Sequence, residues 1–416
     1  MEERKIRVAI THGDTNGIGY ELIFKTFAEP EMLDLCTPII YGSPKIAAYH
    51  RKAIDTQANF SIINKAEEAQ DGRVNLLTCF DDDVKVELGT PTAESGEAAM
   101  KALDKAMTDF RSQLFDVLVA CPVCPTNMTA NNGNYNYRGL KEYTETCIGD
   151  GMEGIKIMVN ESLRIALATN GLAIRDVSAA ITEEKLLEKI KALHNSMRRD
   201  FRLSNPRIGV LALNPGADGT EEKDIITPAI KKAEESGINA YGPYAAEEYF
   251  GNNMSDAFDC TLAMYDDQAF IPFTTTMQND GILYIASLPL VCTAPALTPD
   301  FNNAGQGIAD ESALRHAIFT AIDVLRNRNE YDIPLANPLP KLYHEKRDES
   351  EKVRFSIPKK RENFRGERRP MQRGQYGNTS ETPQTNVATN AGATPQAEVT
   401  HKTSATQEPN TASKTE

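Results

Sequence analysis

The sequence has no apolar run long enough to span a bilayer, and Met1-Glu2-Glu3-Arg4-Lys5 leads into a strand-like segment without the hydrophobic core of a signal peptide. Neither membrane insertion nor secretion is expected, and the expected location is the cytoplasm. A surplus of basic charge is also missing: 45 Lys and Arg stand against 59 Asp and Glu, a formal net charge of −14. That balance argues against general affinity of the folded body for nucleic acid. An even cysteine framework is missing as well. The seven cysteines (Cys36, Cys79, Cys121, Cys124, Cys147, Cys260, Cys292) are odd in number and scattered, which fits reduced, mostly buried thiols. Cys121 and Cys124 have C-x-x-C spacing, but no second such pair and no H-x-x-x-H accompanies them. A zinc site is therefore not expected, and packing is the default reading of both thiols.

What is present alternates. At 416 residues the chain can bury a large core, and its length suggests two domains or one bilobal body. Residues 5–10 (KIRVAI) and 37–41 (TPIIY) read as strands, with helices expected over residues 20–27 and from Ser43-Pro44-Lys45. Residues 74–77 and 84–86 are short strand candidates around Asp81-Asp82-Asp83. Ala98, Ala102, Leu103, Ala106, Phe110 and Leu114 recur at helical spacing within residues 94–114, and residues 115–120 (FDVLVA) then form a buried strand. This order predicts an α/β fold, a parallel sheet with helices on both faces. Residues 131–137 (NNGNYNY) form a polar, turn-rich stretch where the first lobe hands over to a second. There, residues 155–159, 164–169, 257–265 and 281–290 read as strands and residues 183–199 as an amphipathic helix, with a final helix over residues 311–326. Past Tyr343 a mixed-charge run, basic in its second half, gives way from Gly374 to a polar stretch without Leu, Ile or Phe, so residues 345–416 read as a disordered tail.

Two stretches carry candidate chemistry. Residues 207–228 (RIGVLALNPGADGTEEKDIITP) read as a buried strand broken by Asn214-Pro215-Gly216, then a glycine- and acid-rich loop. Thr220-Glu221-Glu222 supplies a capping hydroxyl and two carboxylates for the start of the next helix. Ligands of open α/β sheets bind at such carboxyl ends of strands, although on spacing alone a plain strand-to-helix connection is the better account. Asp266-Asp267-Gln268 also follows a strand, and paired carboxylates there need a cation, a proton or solvent to relieve them. Thr11-His12-Gly13-Asp14-Thr15-Asn16-Gly17-Ile18-Gly19 resembles a phosphate-cradling glycine loop but matches neither standard spacing.

Taken in order, THGDTNGIG (residues 11–19), VACPVC (119–124), Tyr143-Thr144-Glu145, Asn214-Pro215 with Thr220-Glu221-Glu222, LAMYDDQ (262–268) and AGQGIAD (304–310) resemble the family of 4-hydroxythreonine-4-phosphate dehydrogenases, NAD-dependent enzymes of vitamin B6 synthesis. The resemblance implies two α/β/α lobes of the isocitrate and isopropylmalate dehydrogenase kind, residues 1–135 with 292–335 and residues 136–291. It also implies NAD in the cleft, a small phosphorylated substrate, a homodimer with the site at its interface, and a divalent metal (Mg, Mn or Zn) held by three histidines. This chain departs from the family at that chemistry. Gly171, Gly216 and Asp266 stand where the metal histidines belong, Tyr143 replaces the histidine before the Thr-Glu pair, and the gripping lysine and arginine fall on Thr274 and Cys292. Losing those cations removes charge-assisted bonds to phosphate.

The resemblance thus points to Tyr143 and Thr144 as substrate contacts, Asp266 and Asp267 as acid/base or metal groups, and Asn214, Gly216 and Asp218 as the cofactor-facing loop. His12 is the candidate new metal ligand, with Asp266, Asp267 and Asp14 completing an oxygen-rich site. The expected reaction is NAD-dependent oxidation, with decarboxylation, of 4-phosphohydroxy-L-threonine. Two alternatives stay open: a dehydrogenase of another phosphorylated hydroxy acid, and a non-catalytic homologue that keeps the scaffold for ligand binding or assembly.

Overall fold

Runs of apolar, β-branched residues become strands here because both of their faces are covered. In the computed structural model, which describes residues 4–80, 84–124, 126, 137 and 139–338, strands β1 (Arg7–Thr11), β2 (Thr37–Gly42) and β5 (Val117–Ala120) are buried almost throughout. They join β3 (Ser61–Ile63), β4 (Asn75–Thr78) and β12 (Val291–Pro295) in a parallel array of order β3-β4-β2-β1-β5-β12. A second parallel array runs β7-β10-β8-β9: β7 (Arg164–Leu167), β10 (Cys260–Ala263), β8 (Arg207–Leu211) and β9 (Asn239–Tyr244). Two antiparallel strands, β11 (Ile282–Ala286) and β6 (Ile155–Val159), lie between them and complete one twelve-stranded sheet.

The period of two along each strand divides the core. Val8 and Ile10 point to one face, where a single cluster runs the length of the sheet through Ile157, Ala166, Val210, Leu262 and Tyr284 and meets Leu314 and Ile318 of the long helix Ser312–Ala336. On the opposite face there are two clusters. Ala9, Ile39 and Leu118 pack with Leu103 and Met107 of helix Ala93–Arg111 and with Tyr143, whereas Ile165, Leu167, Leu211 and Ala263 pack under Phe273. Helices therefore cover both faces, as the alternation of elements predicts.

One buried ion pair pins the last helix. Arg328 Nε lies 2.8 Å from Asp200 Oδ1, its Nη2 donates to Tyr284 Oη at 2.8 Å, and that hydroxyl donates to Asp200 Oδ2 at 2.7 Å. Nη1 reaches the Leu288 and Pro289 carbonyls, so each of the three guanidinium nitrogens has a partner in this apolar setting.

Several expected elements shift. Residues 84–86 form no strand. The stretch 257–265 opens with a 3₁₀ turn, leaving β10 only four residues, and residues 281–290 yield β11 followed by the unexpected β12. The final helix continues to Ala336. Residues 131–136 of the expected handover stretch and the tail 345–416 lie outside the described residues. Among the described residues no helix is long and apolar enough to cross a membrane.

Candidate active site at the carboxyl ends of three strands

β7, β10 and β8 are parallel neighbours, so the segments leaving their carboxyl ends emerge side by side. These are Thr169-Asn170-Gly171, Tyr265-Asp266 and Leu213-Asn214. Thr169 bonds the Met264 carbonyl through both its amide and its hydroxyl, the latter at 2.7 Å. The Gly171 amide donates to Asp266 Oδ2 at 2.7 Å, joining two of the positions at which the resemblance implies metal histidines. Gln268 ties in the third strand: its amide donates to the Ala212 carbonyl at 2.7 Å and its Oε1 accepts from Met264 N at 3.0 Å. Asp266 is half-buried and Asp267 exposed, both in the first turn of helix Asp266–Thr276, where the dipole favours a carboxylate. The two carboxylates thus begin a helix instead of sharing a strand end.

The loop after β8 is fixed at its base by Glu222. Oε1 accepts from Leu213 N and Asn214 N, both at 2.8 Å, and Oε2 from Asn214 Nδ2 at 2.9 Å. Burial alone raises this carboxyl's pKa, but the donors from Asn214 and Leu213 outweigh it and hold Glu222 below its ordinary value. The expected Thr220 cap is not made. Residues Glu222–Ile226 form a π-helical turn without a side-chain cap, and Glu222 folds back onto the loop instead. Pro215, Gly216 and Asp218 remain exposed above this base. A Cβ built on Gly216 would meet only the Asp218 carboxylate, so the rim is open backbone on a rigid footing, a shape suited to a nucleotide cofactor.

Tyr143 and Thr144 face inward. Helix Leu140–Ile148 buries Tyr143, whose hydroxyl donates to Asp104 Oδ1 at 2.5 Å, and Thr144, whose hydroxyl donates to the Leu140 carbonyl at 2.7 Å and lies beside Cys292. Cys292 is fully buried, and burial pushes its thiol up to about 12. Thr274 is exposed and bonded within its own helix. The side of helix Leu140–Ile148 that faces outward instead carries Lys141, Glu142 and Glu145 into a cavity of about 290 Å³, walled also by Lys156, Thr169, Asn170, Lys185 and Lys189. Sequence reasoning missed these lysines. The signal was present: Lys156 interrupts the apolar β6 run IKIMV, and Lys189 takes an inward position on helix Glu183–Arg199 between Leu186 and Leu193.

His12 does not join this site. It is fully buried in the first half of the sheet, stacked on Tyr20 at 5.2 Å and edge-on to Phe80. The Gly13 and Ala98 backbones lie near the ring, but neither ring nitrogen has a partner in hydrogen-bond geometry. Asp14 accepts from Asn16 N and is buried as well. Among the described residues no three His, Cys, Asp or Glu side chains form a metal-holding set, so the expected site of His12 with Asp266, Asp267 and Asp14 is not formed. The glycine loop around His12 is packing, not a cradle. Residues 11–20 are all buried, and a Cβ on Gly13 or Gly19 would run into the carbonyl oxygens of Pro122 or His12. Cys121, buried against Gly19, has its thiol pushed up to about 12 by burial, in keeping with the packing reading.

Parallel strands whose carboxyl ends bring polar segments side by side have the geometry at which open α/β sheets bind their ligands. The family described as "Pyridoxal phosphate biosynthetic protein PdxA" matches residues 34–321. A 4-hydroxythreonine-4-phosphate dehydrogenase of Bacteroides thetaiotaomicron is 47% identical over 360 residues, covering 85% of this chain and 98% of that protein. Its counterpart in Geobacter metallireducens is 31% identical over 340 residues, covering 78% and 97%. The crystal structure of 4-hydroxythreonine-4-phosphate dehydrogenase from Klebsiella pneumoniae shares the fold with a TM-score of 0.66 at 22% identity, over 78% of this chain and 99% of that one. The chain belongs to the PdxA family, oxidoreductases of pyridoxal phosphate biosynthesis. It is a dehydrogenase, which implies a nicotinamide cofactor.

Proposed function

We propose that the chain uses NAD to oxidise the secondary hydroxyl of 4-phosphohydroxy-L-threonine, with loss of carbon dioxide from the resulting keto acid, as a cytoplasmic homodimer. The observation that carries this reading is the 47% identity over 98% of a relative named for that activity. NAD would be held at the exposed rim Gly216 and Asp218, above the base formed by Asn214, and would supply the hydride acceptor. Asp266, with Oδ2 engaged by Gly171, offers Oδ1 to take the hydroxyl proton as hydride leaves. Glu222 keeps the rim in place, and Gln268 keeps the β8 and β10 ends in register. Tyr143 and Thr144 shape the wall from inside, since both hydroxyls are engaged within the protein. Among the described residues no set of side chains gathers a divalent metal.

The test follows absorbance of the reduced cofactor on mixing the chain with NAD and 4-phosphohydroxy-L-threonine, with light scattering to read the oligomer. Turnover is expected, and Asp266→Asn should lower kcat by about 10²-fold or more. NAD binding without turnover would shift the reading to another phosphorylated hydroxy acid; no NAD binding would sink it.

A further inference from the structure

β6 runs antiparallel to β7, so its first residues lie beside the end of β7, and Lys156 there projects into the cavity described above. Four lysines and three glutamates line that cavity. Two of the lysines are neutralised: Lys141 Nζ is 2.6 Å from Glu145 Oε1, and Lys189 Nζ is 2.6 Å from Glu153 Oε1. Among the described residues neither Lys156 nor Lys185 has a carboxylate within ion-pair distance. Lys156 Nζ reaches Asn170 Oδ1 at 3.3 Å and lies 4.5 Å from the centre of the Phe270 ring. Burial lowers its pKa, and the negative charge of Asp266 opposes that effect. An ammonium largely withdrawn from water and bonded only to an amide and a ring is a costly arrangement unless an anion completes it.

We infer that this cavity seats a phosphoryl group, gripped by Lys156 with Lys185 closing on it from the exposed rim. A phosphate dianion calls for more than one cation, and Lys156 with Lys185 supplies two, while Lys141 and Lys189 stay paired with Glu145 and Glu153 in the same wall. The assignment also answers the loss at Thr274 and Cys292: the first is exposed on its helix and the second sealed in the core, so neither replaces a gripping cation. The ligand's identity rests on the dehydrogenase reading above, in which the phosphate belongs to the substrate. Anchored at Lys156, a short hydroxy acid extends past Asn170 towards the Gly171–Asp266 pair.

The experiment titrates inorganic phosphate into the full chain by thermal shift and by phosphorus NMR line width. It compares wild type with Lys156→Met, Lys156→Gln, Lys156→Arg, Lys185→Met and, as an exposed control outside the cavity lining, Lys231→Met. Removing the Lys156 charge should weaken phosphate binding by about 10- to 100-fold. Lys185→Met should weaken it less, Lys156→Arg should restore most of it, and the control should match wild type. KM for 4-phosphohydroxy-L-threonine should rise with the phosphate Kd while kcat changes little. Having both Met and Gln at 156 keeps the comparison open if one fails to fold. Wild-type phosphate affinity in either folded variant overturns the inference, as does acetate, and not phosphate, binding in a Lys156-dependent way. Turnover with a KM indifferent to Lys156 removes the phosphoryl seat and leaves the dehydrogenase. Lys156-dependent phosphate binding without turnover leaves the seat and removes the dehydrogenase.

Discussion

His12 shows how burial turns a titratable side chain into a structural one. Its pKa is lowered to about 4, chiefly by burial and further by the neighbouring His50, so the ring is neutral in the folded protein near pH 7. His50 is lowered too, for the same leading reason, although its Nε2 bonds the Thr15 carbonyl. The sign follows from linkage. A base with a depressed folded pKa lets the unfolded chain take the proton first, so stability falls as pH drops from 6.5 towards 4 and levels off below that. For His12 alone the loss across this window is about 3 kcal/mol. Thermal melts between pH 7 and 4 should show it, and His12→Phe, which keeps a ring against Tyr20, should flatten the curve. Equal slopes for both proteins would refute the assignment. Glu222, held below its ordinary carboxylate value, contributes in a separate and more acidic window, stabilising above it and ceasing to do so as it is protonated.

At the scale of elements, the unit formed by β1, the glycine loop and helix Gly19–Thr26 has little tolerance. A Cβ on Gly19 would sit 1.9 Å from the His12 carbonyl oxygen and 3.4 Å from Cys121 Cβ, caught between backbone and a packed side chain. Gly19→Ala should therefore cost about 3 kcal/mol or more, an overpacking effect readable as a fall in denaturation midpoint with unchanged m-value. Much of this architecture was legible in the chain. The strands at 7–11, 37–42 and 117–120 announce themselves by apolar runs buried on both faces, and helix Glu183–Arg199 by its stripe. β12 was not, because Val291–Pro295 is short, ends in proline and becomes a strand only through long-range pairing with β5 and β11. The site was half legible. Turn residues and carboxylates at 214–222 and 266–268 mark strand ends, but which side chains face the cleft depends on helix rotation, and that sent Tyr143 and Thr144 inward and Lys141 outward. His12 misled because its position in a glycine loop says nothing of whether that loop is covered.

Across the whole molecule, Arg328 secures the far helix to the shared face of the sheet. Arg328→Ala leaves Asp200 buried beside a lone tyrosine hydroxyl and should destabilise the protein by about 3–5 kcal/mol, whereas Arg328→Met with Asp200→Leu, which removes both charges, should recover most of that loss. Chemical denaturation of the three proteins checks the prediction; equal stability of single and double variants would contradict it. The same continuity appears in the sheet. β11 is bonded along its length to β6 on one side and to β12 on the other, so no flexible tether separates the two parallel arrays. Bringing the halves together therefore means bending or retwisting a bonded ladder instead of pivoting on a loose connection.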